Sequence, residues 1–295
     1  MIGTVIVPLD GSDLAEQALP YAEAIARKAN APLHLMRVVP PDAPASSESE
    51  ARSYLREHAK GYGDRVQISV RMGQPADQIV DGSDEMTDPV IVMTTHGRSG
   101  IGRWLYGSVA DRVVRGSGAP VLLIRSGTKD RRAETVSTVV VSLDGSVHSE
   151  AALPYGKEIA QAFDAELVLV RVAETTQLYG MLGSEPMAPA SADTFNEIGQ
   201  RLVQEAQDYL AEVAEPLRKD GVKVRTETLE GFAADQLLAL EREMSVDLIV
   251  MATHGRSGLG RLVFGSVAER ILKVGTTPVM MIKPKGEVSG SGDNA

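Results

Sequence analysis

Two glycine-rich segments of the chain have the composition of a phosphate-binding loop. They run from Thr94 to Gly102 and from Ala252 to Gly260, and both contain His-Gly-Arg-Ser-Gly. Each is followed by Gly-Ser-Val-Ala, beginning at Gly107 and at Gly265. Glycine lets backbone N–H groups approach an anion closely, and a helix that begins at the serine adds unpaired N–H groups and the positive end of its dipole. The two segments therefore predict two sites for the phosphates of a ligand.

A pair of aspartates could complete these sites. Asp10 and Asp144 each stand in Leu-Asp-Gly-Ser at the end of an apolar run. In an open parallel sheet, ligands bind beyond the carboxyl ends of the strands, where such a carboxylate could accept hydrogen bonds from ribose hydroxyls or a base amino group. The alternative is that each aspartate only closes the Asp-Gly-Ser turn or caps the following helix. The glycine-rich segments could likewise be tight turns.

Catalytic signatures are missing from the sequence. It contains no Walker A motif, no Gly-x-Gly-x-x-Gly, no His-Glu-x-x-His and no Gly-x-Ser-x-Gly. His96 and His254 have no second histidine, cysteine or carboxylate cluster nearby in the sequence, which favours packing within the turn over catalysis or metal binding. Arg98 and Arg256 either meet phosphates or face solvent. We therefore expect no catalytic residues, and slow or absent hydrolysis of a bound nucleotide.

The chain is an internal duplication. Val5–Val39 aligns without gaps on Val139–Ala173 at an offset of 134, with 18 of 35 positions identical. His96–Arg125 aligns on His254–Lys283 at an offset of 158. The difference of 24 residues is one insertion, which the second copy carries as a longer helix and the loop before it. We expect a first domain over residues 1–126, a linker over 127–135, a second domain over 136–284 and a disordered tail over 285–295.

Apolar runs alternate with amphipathic stretches in each copy, which indicates an α/β fold. Runs such as Val139-Val140-Val141 are continuously apolar, as in strands buried on both faces of a parallel sheet, so helices should cover both faces. Ser12 is a candidate N-cap for the first helix of the first copy. Pro20 in the first copy and Pro154 in the second should each kink the first helix of their own copy or start it anew. The predicted strands are Thr4–Leu9, Leu33–Val39, Val66–Met72, Val90–Thr94, Pro120–Arg125, Val139–Leu143, Leu167–Val172, Val222–Thr228, Leu248–Ala252 and Pro278–Lys283.

Composition excludes several classes of protein. The 295 residues are 43% hydrophobic and 24% charged, which is typical of a globular protein. A net charge of −10 argues against a broad nucleic-acid surface, and no apolar run approaches the length of a membrane span. The chain has no cysteine and no recognisable leader, so we expect a cytoplasmic protein.

These motifs resemble those of the universal stress proteins, and the resemblance extends from Ile2 to Pro284. The family's Gly-x2-Gly-x9-Gly-Ser/Thr motif is matched by Gly97 with Gly107-Ser108 and by Gly255 with Gly265-Ser266. It implies two tandem flavodoxin/Rossmann-like (HUP-type) domains, each a five-stranded parallel sheet in the order 3-2-1-4-5. It also implies nucleotide contacts at Pro8, Asp10, Val39, Met93, Thr94, Gly97, Arg98, Gly107, Ser108 and Val109 in the first copy, and at Ser142, Asp144, Val172, Met251, Ala252, Gly255, Arg256, Gly265, Ser266 and Val267 in the second.

The resemblance implies ATP or ADP as the ligand, with a divalent ion such as Mg²⁺ held by phosphates and water. Thr94 and Ala252 replace the first glycine of the motif, and β-branched Thr94 is expected to crowd the first pocket. The family's last strands commonly pair, which would make the chain a pseudo-dimer, and a further homodimer is plausible. The alternatives are a nucleotide-free module that binds a protein partner, and a slow ATPase.

Overall fold

The first half of the chain alternates parallel strands with helices. The computed structural model describes residues 2–95, 107–125, 135–175, 189–253 and 265–284. The strands of the first half are β1 (Thr4–Pro8), β2 (Leu33–Val39), β3 (Val66–Met72), β4 (Pro89–Thr94) and β5 (Val121–Ile124). Its helices are α1 (Asp13–Glu16), α2 (Leu19–Ala29), α3 (Ser47–Ala59), α4 (Pro75–Asp84) and α5 (Ser108–Gly116).

The second half repeats this arrangement with one much longer helix. Its strands are β6 (Thr138–Leu143), β7 (Glu166–Ala173), β8 (Val224–Glu230), β9 (Leu248–Ala252) and β10 (Val279–Ile282). Its helices are α6 (Val147–Glu150), α7 (Leu153–Phe163), α8 (Pro189–Lys219), α9 (Ala233–Glu243) and α10 (Ser266–Val274). Helix α8 has 31 residues where its counterpart α3 has 13, so the insertion lengthens this helix as the repeat predicted.

The ten strands of the described residues form one sheet, in the order β3-β2-β1-β4-β5-β10-β9-β6-β7-β8. Within each half the neighbouring strands are parallel, and the halves meet where β5 and β10 pair antiparallel, with Leu122 opposite Met280. The strands of each half therefore lie in the order that the resemblance implied, and the two last strands pair. Since the halves run in opposite directions, the carboxyl ends of their strands lie on opposite edges of the sheet.

Two hydrophobic cores cover the two faces of this sheet, and each extends through both halves. Successive residues of β1 divide between them, because Val5 and Val7 belong to one core and Ile6 to the other. Helices pack on both faces, as the continuously apolar strands predicted, and the α/β assignment is confirmed.

The helix starts follow the local sequence signals. Ser12 caps α1, since its Oγ accepts a hydrogen bond from the N–H of Ala15 at 3.2 Å. The helix is not continuous beyond Glu16: a new helix begins at Leu19, with Pro20 in its first turn, where a missing N–H costs nothing. Pro154 starts α7 in the same way.

The prediction for β8 was displaced by two residues, because Val222 precedes the strand that begins at Val224.

Candidate functional site

A cavity of about 630 Å³ opens at the carboxyl edge of the first half. Strands β1, β2 and β4 end there, and helix α5 begins there, so segments far apart in sequence meet around one space. The volume is in the range of small-molecule sites. Eight residues that the sequence analysis assigned to the first site line it: Pro8, Asp10, Val39, Met93, Thr94, Gly107, Ser108 and Val109.

The start of α5 is fixed to the ends of the neighbouring strands. Thr95 donates its N–H to the carbonyl of Ile124 at 2.9 Å and accepts from the N–H of Gly107 at 2.6 Å. Gly107 is the N-cap residue and brings no side chain that could cap the first turn. The N-terminus of α5, with the hydroxyl of Ser108 beside it, therefore lines the cavity as a group of donors suited to an anion.

Much of the cavity's lining is apolar. Val39, Met93 and Ile79 are at most 7% exposed, and they contribute to its wall. Thr94 is 6% exposed and is also part of that wall. The cavity thus remains open with threonine in place of the motif's first glycine. A cavity that combines apolar side chains with a helix N-terminus suits a ligand with a flat apolar ring at one end and negative charge at the other.

Asp10 has a structural role as well as a place in the cavity. Its Oδ1 accepts hydrogen bonds from the Ser12 N–H at 3.0 Å and from the Ser12 hydroxyl at 2.6 Å. The turn-closing interpretation of this aspartate is therefore correct. Because Asp10 also lines the cavity, the two roles are compatible.

The second half places its predicted residues at the opposite edge of the sheet in the same arrangement. Asp144 follows β6 and accepts from the Ser146 N–H at 2.9 Å and its hydroxyl at 2.6 Å. Gly265 donates its N–H to the carbonyl of Thr253 at 3.0 Å, and α10 begins at Ser266. The remaining predicted residues lie on or beside these elements: Ser142 on β6, Val172 on β7, Met251 and Ala252 on β9, and Val267 in the first turn of α10.

Several predicted residues lie outside the described part of the chain. They are His96, Gly97 and Arg98 in the first half and His254, Gly255 and Arg256 in the second. The predicted linker, apart from Thr135, and the predicted tail also lie outside it.

The sequence analysis missed four polar residues of the cavity. Arg37 on β2, Thr95 just after β4, and Ser47 and Glu50 on α3 are part of its lining. The repeat offered a signal for Arg37 and Thr95, because they align without gaps on Arg171 and Thr253. Ser47 and Glu50 lie where the halves differ in length, so no alignment between the copies could have singled them out.

Two kinds of feature are absent from the described residues. No helix among them is long and apolar enough to cross a membrane. In the same part of the chain, no group of three or more histidine, cysteine, aspartate or glutamate side chains is arranged to hold a metal ion.

Comparison with known proteins gives a consistent family. The model of the universal stress protein family matches the chain twice, over residues 1–125 and 135–283. A universal stress protein of Methanocaldococcus jannaschii is 36% identical over 150 residues, which are 50% of this chain and 84% of that protein. One of Mycolicibacterium smegmatis is 26% identical and covers 95% of this chain and 97% of its own length. The crystal structure of a universal stress protein from Archaeoglobus fulgidus matches the fold with a TM-score of 0.71 at 20% identity, covering 96% of this chain and 98% of that one.

Proposed function

Because the chain belongs to the universal stress protein family, we propose that it is a regulatory or protective protein that binds ATP, in the cavity of the first half and at the matching place in the second. The observation that carries the proposal is the cavity itself. It combines an apolar wall, a carboxylate at the end of β1 and a helix N-terminus at Gly107-Ser108. These groups match the base, the ribose and the phosphates of a nucleotide, respectively.

Each part of the ligand has a physical reason for its position. The adenine packs against Val39 and Met93, which removes apolar surface from water. The ribose hydroxyls donate to Asp10, because a carboxylate is a strong acceptor. The phosphates accept hydrogen bonds from the first turn of α5 and from the Ser108 hydroxyl, where the helix dipole also favours negative charge.

Mg²⁺ fits this arrangement as a companion of the phosphates rather than as an ion held by a protein cage. No described group of side chains is arranged to hold a metal ion, and Mg²⁺ commonly binds nucleotide phosphates while retaining several waters.

Rapid hydrolysis is not part of the proposal. The carboxylate of Asp10, which lines the cavity, accepts hydrogen bonds from Ser12. The composition without cysteine supports action in the cytoplasm.

The first experiment is direct. Freshly purified protein is denatured in acid, and released nucleotide per chain is measured by chromatography, followed by titration with ATP if none is found. One to two equivalents of ATP or ADP support the proposal, and the ATP:ADP ratio reports any slow turnover. No released nucleotide and no binding at millimolar ATP would favour the alternative of a nucleotide-free module that binds a protein partner.

Substitution at the two helix starts tests where the phosphates bind. Gly107 and Gly265 have φ values of −56° and −59°, which any residue adopts, so valine at either position does not strain the backbone. A Cβ at Gly265 lies 3.6 Å from the carbonyl oxygen of Thr253, an ordinary contact. Gly107→Val and Gly265→Val should each weaken binding in their own half at least tenfold, since the methyl groups occupy the space of the phosphate. Isothermal titration measures the number of sites and their affinities.

Gly118→Val is the matched control for these variants. Gly118 is exposed, no atom lies within 4 Å of an added Cβ, and the residue is not part of the cavity's lining. We expect its affinity to equal that of the unaltered protein and circular dichroism to be unchanged in all three variants. Unaltered affinity in Gly107→Val and Gly265→Val would show that the phosphates bind elsewhere.

A further inference from the structure

A cluster of four residues lies beneath the Asp10 turn in the first half. The guanidinium carbon of Arg37 lies 4.7 Å from the centroid of the Tyr54 ring. The Tyr54 hydroxyl donates to Glu16 Oε1 at 2.8 Å. The guanidinium also packs against Gly11, where an added Cβ would lie 3.0 Å from Nη2. We call Arg37, Tyr54, Glu16 and Gly11 the turn-support cluster.

The second half contains the same cluster with nearly the same distances. The guanidinium carbon of Arg171 lies 4.8 Å from the Tyr209 ring centroid, and the Tyr209 hydroxyl donates to Glu150 Oε1 at 2.9 Å. A Cβ on Gly145 would lie 3.0 Å from Nη2 of Arg171. Gly11 and Gly145 have φ values of +83° and +84°, so each position requires glycine for its backbone as well as for the guanidinium's close approach.

The tyrosines make this repetition informative. Arginine, glutamate and glycine recur at the offset of 134 that relates the first parts of the two copies. Tyr54 and Tyr209 are instead 155 residues apart, on helices of 13 and 31 residues that do not align from end to end. The structure nevertheless brings a tyrosine to the same place under both arginines. The contact has thus been kept through the change in helix length that separates the two halves.

The cluster has the physical properties of a rigid support. Burial and the hydrogen bond to Glu16 raise the pKa of Tyr54 above its ordinary value, and burial and Glu150 do the same for the pKa of Tyr209. Each phenol therefore stays protonated and continues to donate. A planar guanidinium stacked on an aromatic ring is held in one orientation, which a flexible ammonium group is not.

From this geometry we propose that Arg37 and Arg171 are positioning residues, which hold the Asp-Gly-Ser turns so that Asp10 and Asp144 recognise the ribose hydroxyls. The arginines act through the aspartates, because each packs on the glycine that directly follows the aspartate in sequence. This inference rests on the proposed binding of ATP at both sites. It adds that selection of a ribonucleotide depends on the arginines that pack against the aspartate turns, of which Arg37 also lines the cavity.

The experiment compares ATP with 2′,3′-dideoxy-ATP, which lacks both hydroxyls, by isothermal titration of the full-length chain. Hydrogen bonds to a charged acceptor contribute about 1.5–3 kcal/mol, so the unaltered protein should prefer ATP by about tenfold or more. In the double variant Arg37→Met/Arg171→Met the side chains keep their apolar length but lose the guanidinium. We expect this preference to fall below about threefold, because the aspartates no longer hold their place.

Two further double variants separate positioning from general stability. Tyr54→Phe/Tyr209→Phe keeps the rings beneath the guanidinium groups and removes the hydroxyls that bond Glu16 and Glu150, so the preference for ATP should persist. Arg37→Lys/Arg171→Lys retains the charge without the planar stack, and an intermediate preference is expected. This variant also serves as the test if the methionine variant fails to fold.

The outcomes distinguish the inference from the function on which it rests. If the unaltered protein binds neither nucleotide, the proposed function fails and the inference fails with it. If it binds ATP but does not distinguish the two nucleotides, or if the arginine variants keep the full preference, only the inference is overturned. A preference that is lost in the methionine variant, reduced in the lysine variant and kept in the tyrosine variant supports it.

Discussion

His34 is a buried imidazole at a position where the second half carries Val168. It is 7% exposed, and its Nε2 shares a hydrogen bond of 2.7 Å with the Ser69 hydroxyl. Its Nδ1 is buried and has no hydrogen-bond partner in the part of the chain that the structure describes. Burial lowers the pKa of His34, and this effect outweighs the opposite contribution of the Gln67 side chain, while Arg71 adds a smaller contribution that lowers the pKa. Folding therefore favours the neutral form of this imidazole.

Replacing His34 by its counterpart should change the pH dependence of stability. The unfolded chain protonates this histidine near pH 6.5 and the folded chain only at lower pH, so stability is lost as the pH falls below about 6.5. His34→Val removes this loss. Urea denaturation at pH 8 and pH 5.5 should show the variant gaining stability relative to the unaltered protein at the lower pH. A stability difference that is the same at both pH values would contradict the prediction.

At the scale of elements, helix α7 packs so closely on strand β6 that Gly156 has no space for a Cβ atom. A Cβ on Gly156 would lie 2.3 Å from Cγ2 of Val141, a stiff β-branched side chain. The first half has Ala22 on α2 at the corresponding position, fully buried. Helix α7 therefore leaves no room beside Val141 for the methyl group that Ala22 carries at the corresponding position of α2.

Gly156→Ala should destabilise the protein although it improves helix propensity. Overpacking typically costs 1–3 kcal/mol, which exceeds the gain of about 1 kcal/mol from replacing a helical glycine. We expect a lower free energy of unfolding in urea titrations. In a Val141→Ala background the obstructing methyl is absent, so Gly156→Ala should there be neutral or stabilising. Destabilisation of the same size in both backgrounds would rule out this contact as the cause.

For the whole molecule, the pairing of β5 with β10 joins the two halves into one sheet. Reciprocal contacts reinforce this junction. Arg125, just after β5, donates to the carbonyl of Gly275 at 2.7 Å, near the end of α10. Lys283, just after β10, donates to the carbonyl of Arg115 at 3.2 Å in the last turn of α5. Each half thus places a cation at the negative end of the other half's helix, where it is stabilising.

Because the sheet and both cores continue across this junction, the halves should unfold together. Calorimetry should show one transition whose calorimetric and van't Hoff enthalpies agree, as expected for all-or-none unfolding. Substituting aspartate for Leu122, which lies opposite Met280 and is 1% exposed, should destabilise the junction strongly. Two separate transitions in the unaltered protein would show that the two halves unfold independently.

Much of the fold could be predicted from the sequence, because the signals involved are local or repeated. Continuous apolar runs indicated buried parallel strands, Ser12 and Pro20 marked helix starts, and the gap-free repeat indicated matching halves. The weakest local prediction was the start of β8, where Val222 continues the apolar pattern before the strand begins at Val224. Aspartate and glycine positions of the first site were predictable for the same reason, since turns and helix caps require particular residue types.

The sequence by itself determined the order of the elements, the duplication, and the places of Asp10 and Gly107 at the end of β1 and the start of α5. Only the tertiary structure decided which distant side chains meet. It placed Tyr54 and Tyr209 under equivalent arginines although their helices differ in length, and it brought Arg125 to Gly275 across the junction. Such contacts depend on the relative heights and directions of packed helices and strands. Because packing of the whole core sets these heights and directions, the spacing of residues along the chain does not reveal them.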